Sequence, residues 1–369
     1  MEEKNWYVQF DILEDFMTEI FKSIGVPEVD ATVCADVLIT SDKRGIESHG
    51  IGRMKTIYYD RIRKGIQQAQ TQFEIVKETP TTAVIDGHDG MGHVISKRAM
   101  QMAIDKAKVH GLGMTTVRNS THYGICGYYL LMAAQAGMIG ITGTNARPSI
   151  APTFGVENML GTNPLTFGCP TDEEFPFIID AATSVSQRGK IEVYSRSEKD
   201  IPEGWVIDKS GKYRTDTEQI LKDLVKGTAA LVPLGGMGEE TGGHKGYGYA
   251  TFVEIISSAL CEGHYLKQLL GFENGKPVPY GLGHFFMAIN IENFVHLGVF
   301  KGIAGTILRQ LRASEKAPGN DRIYTAGEKE HLIYLERLKT GVPINENLAK
   351  EINTMRSECG LERFSFPWD

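Results

Sequence analysis

The chain has 369 residues, of which 41% are hydrophobic, 23% charged and 9% aromatic, a balance that excludes disordered, collagen-like and coiled-coil proteins. Lysine and arginine total 39 against 46 acidic residues, so the formal net charge of -7 argues against nucleic-acid and membrane-surface binding. No run approaches the ~20 apolar residues that a membrane helix needs, and residues 1–5 are too polar to open a secretory signal. Five scattered cysteines without a CxxC pair indicate reduced thiols and a cytoplasmic location.

The first 65 residues are predicted to form three helices. Apolar residues recur at helical spacing over 10–21 and again over 31–43. A third helix is predicted from Met54 to Ile62, with Gly65 at its end and Ser48 as its N-cap.

From residue 73 the pattern alternates between strands and helices, which favours an α/β fold. Strands are predicted at 73–76, 83–85, 114–117, 139–142, 177–179 and 285–289, and helices at 93–110, 128–136 and 249–261. The tail from Glu328 onward is charged and mostly helical. These patterns predict a helical N-terminal region (1–72), a central α/β domain (73–300) and a helical C-terminal region (301–369) that packs with the N-terminal one.

The familiar nucleotide and metal motifs are absent. The sequence has no GxGxxG, no Walker loop and no HExxH. The segment 238–245 comes nearest to a phosphate loop, but it lacks the Gly-Lys-Ser/Thr ending and its two carboxylates would repel phosphate. Any nucleotide must therefore bind to a less familiar cradle, and no metal site is expected.

Ser48, His49 and Arg53 form the first candidate site. On a helix that starts at Ser48, His49 and Arg53 would lie on one face. Arginine grips a carboxylate with two parallel hydrogen bonds, and histidine exchanges a proton with a neighbouring hydroxyl or carbonyl. The alternative is a surface histidine beside a solvated arginine.

Two further candidates follow strand ends. His122 lies between a predicted strand and a helix, where α/β proteins often place reactive groups, although it could equally fill a hydrogen-bond network. Asp180 ends an apolar strand and needs a partner such as a protonated histidine or a ribose hydroxyl. Thr183 and Ser184 are predicted to begin a helix whose free N–H groups attract phosphate, while the alternative role for Asp180 is helix capping.

The segment 234–248 contains seven glycines around Lys245 and is predicted to be a binding loop before a helix at 247–259. Gly327 and Glu328 lie in a turn that feeds another helix, where capping is the default role.

Together these segments resemble the malate/L-lactate dehydrogenase family that lacks a Rossmann fold. The matching residues occur in the family's order along almost the whole chain: Ser48-His49-Gly50 with Arg53, Asn119-Ser120 with His122 and Gly124, Gly161-Thr162-Asn163-Pro164, Asp180 with Thr183-Ser184, Pro233-Leu234-Gly235-Gly236, Lys245-Gly246 and Gly327-Glu328. The resemblance implies hydride transfer between a small 2-hydroxy acid and NAD or NADP, a non-Rossmann cofactor-binding sheet, and a homodimer with its active site near the subunit interface.

Under this hypothesis His122 or His49 takes the substrate's hydroxyl proton, with His122 favoured, Arg53 holds the carboxylate, and Asp180 orients a histidine or contacts the cofactor. The candidate cofactor-binding residues are Asn145, Thr162, Asp180, Thr183, Ser184, Lys245, Gly327 and Glu328. Related substrates remain open, namely sulfolactate, ureidoglycolate and cyclic imino acids. The sequence also leaves open a nucleotide-binding phosphotransferase, a lyase on the same acids, and a binding protein without catalytic activity.

Overall fold

The computed structural model describes residues 5–369. The strands in this part of the chain are β1 (Asn5–Val8), β2 (Glu74–Glu78), β3 (Thr82–Asp86), β4 (Leu112–Ser120), β5 (Met138–Thr144), β6 (Leu165–Cys169), β7 (Phe177–Ile179), β8 (Val206–Asp208), β9 (Tyr213–Arg214), β10 (Ala229–Leu231), β11 (Phe272–Glu273), β12 (Lys276–Pro277), β13 (Leu282–Asn290) and β14 (Val342–Asn345). The α-helices are α1 (Phe10–Ser23), α2 (Glu28–Lys43), α3 (Asp60–Arg63), α4 (Gly92–His110), α5 (Gly127–Gln135), α6 (Arg188–Arg196), α7 (Thr217–Lys226), α8 (Gly243–Ser258), α9 (Leu297–Ala313), α10 (Glu328–Thr340) and α11 (Glu346–Glu358).

A seven-stranded mixed sheet forms the centre, in the order β2-β3-β4-β13-β5-β6-β7. Only β3 and β4 run parallel, and the other neighbouring strands are antiparallel. The parallel pair is the one joined through a long helix, α4, because parallel strands need a crossover connection. The prediction of an α/β fold is confirmed, and the structure adds that its central sheet is mixed.

Helices cover both faces of this sheet. Side chains alternate between the two faces along a strand, so Phe286 of β13 packs with α4 and α5 while Gly283 faces the backbone of Ser257 in α8. The C-terminal ends of β4, β5 and β7 lie at the same edge of the sheet. Residues at or just after these ends line a cleft, which contains the candidate site.

The two ends of the chain share one apolar core. Strand β1 pairs antiparallel with β14, with Trp6 opposite Ile344. Phe16 of α1 stacks edge-on against Phe364 and Phe366 near the C-terminus. Neither β1 nor β14 has a strand signal in its local pattern, because each is only four residues long and pairs with a partner at the far end of the chain.

A smaller region lies between β7 and α8. It contains the antiparallel strands β10-β8-β9 and the helices α6 and α7, around apolar residues such as Ile191, Val206 and Ile220. The sequence patterns do not predict these elements, which are short.

The predicted third helix is only partly present. Residues Met54–Tyr59 form a wide π-type turn that continues into α3 and ends before Gly65. The preceding segment, with Ser48, forms two separate 3-10 turns, Glu47–His49 and Ile51–Arg53. Ser48 is therefore not the N-cap of this helix, and that prediction is wrong.

Candidate active site

The loop between α2 and the π-type turn carries the first histidine and the arginine. His49 ends one 3-10 turn and Arg53 ends the next, so the two side chains do not share one helix face as predicted. The Ser48 hydroxyl lies 2.9 Å from Nδ1 of His49. Nε of Arg53 donates to the Ser48 carbonyl at 2.5 Å, which ties both functional side chains to one short loop.

The Asp42 side chain of α2 stabilises the loop that carries His49 and Arg53. Its buried carboxylate accepts the Ile51 N–H at 2.8 Å, and a Cβ at Gly50 would lie 1.8 Å from its Oδ1. Arg337 of α10 donates to the Asp42 carbonyl and pairs with Glu47 at the same point. The break between the two 3-10 turns follows from these contacts, which local periodicity cannot predict.

Burial raises the pKa of Asp42 to about 7, although the Ile51 N–H acts in the opposite direction. Because the folded-state pKa lies above the unfolded value, the neutral Asp42 carboxyl favours folding below pH ~4, and this contribution is lost as the pH rises through ~7. When the pH is raised from 5 to 8, the unfolding free energy of the original protein should therefore fall by about 3 kcal/mol more than that of Asp42→Asn, which has no carboxyl to ionise at this position. Urea unfolding at both pH values measures this difference, and equal pH dependence of the two proteins would contradict it.

His122 reaches the same loop from the sheet. It follows β4 by two residues, and its ring stacks on that of His49 with the centroids 5.4 Å apart and the planes 23° from parallel. The Tyr58 hydroxyl lies 2.5 Å from Nδ1 of His122. Tertiary folding thus brings together two imidazoles that are far apart in the sequence.

Both imidazoles are held neutral. Burial, assisted by the Arg53 charge, lowers the pKa of His49 to about 4. Burial also lowers the pKa of His122 well below its usual range, and His49, His93 and Arg53 add to the effect. At neutral pH the two rings can therefore accept or donate hydrogen bonds without carrying charge.

A cleft of about 190 Å³ opens beside the two rings. Its walls combine polar groups with small and apolar ones. They are contributed by Ile46, Ser48, His49, His122, Tyr123, Gly124, Ile125, Cys126, Thr144, Asn145, Ala146, Thr162, Pro164, Asp180, Ala182, Gln187 and Leu282. A concave site with mixed lining of this kind suits a small ligand.

Arg53 lines a neighbouring cavity of about 610 Å³. The two cavities share Ile46, Ser48 and Gln187, so they adjoin at the His49 loop. The Nε of Arg53 is bonded to Ser48, whereas its two terminal nitrogens have no hydrogen-bond partner among the described side chains and backbone and can bind a ligand. Gly189 leaves the space beside one of them, since a Cβ there would lie 3.3 Å from Nη2.

Asp180 directly follows β7 and lines the cleft. Its Oδ2 accepts the Gly127 N–H at 2.7 Å, at the first residue of α5. The side chain faces the cleft, but protein surrounds it on the other sides, so burial raises the pKa of its carboxyl. The partner in this structure is thus the first N–H of α5, an earlier helix, so Asp180 is not the N-cap of a helix that follows it, and the carboxylate remains within the cleft.

The other predicted cofactor residues fall into two groups. Asn145 and Thr162 line the cleft, although the Asn145 amide also donates to the His264 carbonyl at 3.0 Å and accepts the Gly283 N–H at 2.8 Å. Thr183 and Ser184 do not begin a helix, and that prediction is wrong. The Thr183 N–H donates to the Thr162 carbonyl at 3.0 Å, so it is not free to hold phosphate.

The structure places Lys245, Gly327 and Glu328 away from the lining of the cleft. Helix α8 begins at Gly243, earlier than predicted, so Lys245 is exposed in a first helical turn and not in a loop. The glycines permit this, since a Cβ at Gly243 would lie 2.0 Å from the Gly236 carbonyl oxygen.

Gly327 and Glu328 open α10, as the turn predicts. Gly327 lines a small cavity of about 60 Å³ on another side of Asp180. Glu328 is buried, accepts the Thr325 N–H at 3.0 Å and pairs with Arg322, so it stabilises the turn that precedes α10.

The sequence patterns do not point to Tyr58 or Gln187 as site residues. Tyr58 fits the apolar spacing of a helix, so its contact with His122 has no local signal. Gln187 precedes α6 in the unpredicted small region and joins the two cavities.

Within residues 5–369, no group of three or more His, Cys, Asp or Glu side chains is arranged to hold a metal ion. None of the helices described in that range has the length and apolarity to cross a membrane.

Comparison with known proteins identifies the family. Residues 8–353 match the model of the malate/L-lactate dehydrogenase family. A malate dehydrogenase of Pyrococcus horikoshii is 44% identical over 352 residues, which cover 95% of each chain. An L-sulfolactate dehydrogenase of Methanocaldococcus jannaschii is 38% identical over 93% of this chain and 94% of its own.

A crystal structure of malate dehydrogenase from Entamoeba histolytica superposes with a TM-score of 0.94, at 46% identity, over 97% of this chain and 99% of that one. These matches span nearly the whole sequence and leave the phosphotransferase and the non-catalytic binding protein without support. The chain is an oxidoreductase, and it belongs to the malate/L-lactate dehydrogenase family.

Proposed function

We propose that the protein interconverts a small 2-hydroxy acid of the malate or L-lactate type and its 2-oxo acid, with NAD or NADP. The observation that carries this proposal is the stacking of His49 and His122, 5.4 Å apart, in a cleft that adjoins the Arg53 guanidinium. A carboxylate on Arg53 would leave the neighbouring C2 oxygen for an imidazole.

Each residue has a distinct task in this reaction. Arg53 binds the substrate carboxylate through its two terminal nitrogens and so orients C2. His122 and His49 both hydrogen-bond the C2 oxygen, and one of the two rings exchanges its proton, since both are neutral at neutral pH. Asp180 keeps the N-terminal end of α5 against the cleft through the Gly127 N–H.

The lining of the cleft supports the binding of a nicotinamide ring there. Small and apolar residues such as Ala146, Pro164 and Leu282 provide flat contact, while Asn145 and Thr162 provide polar groups. When bound, the nicotinamide cofactor supplies or accepts the hydride. The protein's part is to position the reacting carbon and exclude water.

The proposal keeps a non-Rossmann mode of cofactor binding. The absence of GxGxxG and the largely antiparallel central sheet support it. Asn145, Thr162 and Asp180 are the cofactor contacts that the cleft favours most. Of the remaining candidates, Thr183 bonds the cleft residue Thr162 and Gly327 lines a small cavity on another side of Asp180, while Ser184, Lys245 and Glu328 lie outside the lining of the cleft.

A spectrophotometric screen tests the reaction. Oxaloacetate, pyruvate and other 2-oxo acids are each offered with NADH and with NADPH, and oxidation is followed at about 340 nm, where reduced nicotinamide absorbs. Sulfopyruvate, oxidised ureidoglycolate and cyclic imino acids extend the panel to the substrates of related enzymes. Turnover of 2-oxo acids with one cofactor supports the proposal, and turnover without any nicotinamide would favour a lyase.

We also propose that the protein is a homodimer in the cytoplasm. Val299, Ile303, Ile307 and Leu311 recur every four residues on α9 and are each more than half exposed. Such a stripe is too apolar for an ordinary solvent-facing helix, and a second copy would cover it. The five cysteines, all present as free thiols, fit a reducing compartment.

Sedimentation velocity measures this association. The original protein should sediment as a dimer, and Ile303→Asp should shift it toward the monomer because a buried carboxylate at the interface would be unpaired. Val109→Asp is the matched control, since Val109 is an exposed valine near the end of α4 and lies outside the α9 stripe. A monomeric original protein would contradict the prediction.

A further inference from the structure

The hydrogen bonds at Nδ1 of His122 determine which ring nitrogen carries the proton. The Tyr58 hydroxyl lies 2.5 Å from Nδ1, and the Gly124 N–H donates to the same nitrogen at 3.3 Å. A backbone N–H can only donate, so the Gly124 contact favours a lone pair on Nδ1 and a neutral ring with its proton on Nε2. At 3.3 Å this contact is long, so the tautomer depends mainly on the much shorter contact with the Tyr58 hydroxyl.

Tyr58 is built to act as a donor toward this nitrogen. Its side chain is fully buried between the rings of Phe21, 6.1 Å away, and His93, 4.6 Å away. Burial raises the pKa of the phenol well above its usual range, so the hydroxyl keeps its proton. Tyr58 does not line the cleft and can influence the chemistry only through His122.

The opposite nitrogen of His122 is open to the cleft. Within residues 5–369, no hydrogen bond engages Nε2, and the ring forms part of the cleft wall. A neutral imidazole that presents an N–H can polarise a carbonyl without a change of charge. That role differs from general-base catalysis, which requires a lone pair on the nitrogen that faces the substrate.

We propose that Tyr58 is a positioning residue that holds His122 as the Nε2–H tautomer, so that His122 donates a hydrogen bond to the substrate's C2 oxygen. This inference rests on the proposed 2-hydroxy-acid reaction and divides the work between the two imidazoles. In the oxidation direction the hydroxyl proton goes to His49, and a bound nicotinamide would accept the hydride from C2. His122 stabilises the oxygen throughout and keeps its own proton.

Nitrogen NMR of the ¹⁵N-histidine-labelled full-length protein reads the tautomer directly. The His122 signals, assigned by their loss in His122→Gln, should show a protonated Nε2 and an unprotonated Nδ1. The reverse pattern would overturn the proposal. This measurement needs no substrate, so its result stands even if every 2-oxo acid in the activity screen fails.

Tyr58→Phe then tests the positioning role. Loss of the hydroxyl should move the His122 signals toward a mixture of tautomers and lower kcat at least roughly tenfold, with little change in KM, because substrate binding through Arg53 is retained. Tyr59→Phe is the matched control, because the neighbouring hydroxyl bonds Glu358 and Arg63 and not His122. A Tyr58→Phe protein with unchanged His122 signals overturns the proposal, whatever its kcat.

Discussion

Replacement of His122 by alanine should lower kcat by roughly 10²–10⁴-fold in both reaction directions, the range expected when a positioned acid, base or oxygen-stabilising donor is removed. The ring stacks on His49 and faces the cleft, so alanine leaves the C2 oxygen without this partner. The substrate still binds to Arg53, and KM should change much less. Steady-state kinetics with the best substrate of the spectrophotometric screen, followed at about 340 nm, measures both kcat and KM.

His110→Ala is the control for this loss. His110 is exposed at the end of α4, outside the cleft, and its replacement should leave kcat near that of the original protein. A His122→Ala protein with nearly unchanged turnover would remove His122 from the mechanism and leave His49 as the single imidazole at the C2 oxygen.

Replacement of Arg53 by alanine should raise KM roughly a hundredfold, since removal of one partner from a charged pair costs about 2–5 kcal/mol. Arg53→Lys should fall between the original protein and Arg53→Ala, because an ammonium supplies charge but cannot form two parallel hydrogen bonds with a carboxylate. The comparison separates the charge of Arg53 from its geometry. Initial rates over a range of substrate concentrations give KM for each protein.

Arg63→Ala provides the matched control. Arg63 lies in α3, beyond the π-type turn that follows Arg53, and it pairs with Glu358 and Tyr59. Its KM should remain that of the original protein. Equal KM values for the original protein, Arg53→Lys and Arg53→Ala would mean that the substrate carboxylate binds elsewhere in the cleft.

Apolar periodicity predicts the long elements of the fold well. Helices α1, α2, α4 and α5 carry apolar residues at regular spacing, and that spacing encodes their burial in the two largest apolar cores. Short strands such as β1 and β14 and the small region around α6 and α7 escape prediction, because their stability comes from partners distant in the chain. Local patterns contain no information on such partners.

The sequence singles out individual residues of the candidate site, but it does not predict the local backbone structure and the contacts that position them. Local spacing predicts a helix at the His49 loop, but the structure has two separate turns there. The spacing does not reveal that the Asp42 carboxylate accepts the Ile51 N–H between them. The helix start predicted at Thr183 is wrong for a similar reason. The local pattern does not reveal that the Thr183 N–H donates to the distant Thr162 carbonyl. Tyr58 has the pattern of an ordinary core residue.

The amino-acid sequence was enough to establish the α/β class, to single out the two histidines and the arginine, and to indicate the family to which they belong. Three features of the site emerged from the folded chain alone: the two imidazoles stack, Arg53 opens on the adjoining cavity, and Tyr58 and Gly124 meet Nδ1 of His122. Residue type limits which chemistry a side chain can perform, whereas distance, burial and hydrogen-bond partners set its protonation state. Long-range packing fixes those quantities, and for that reason local sequence patterns do not contain them.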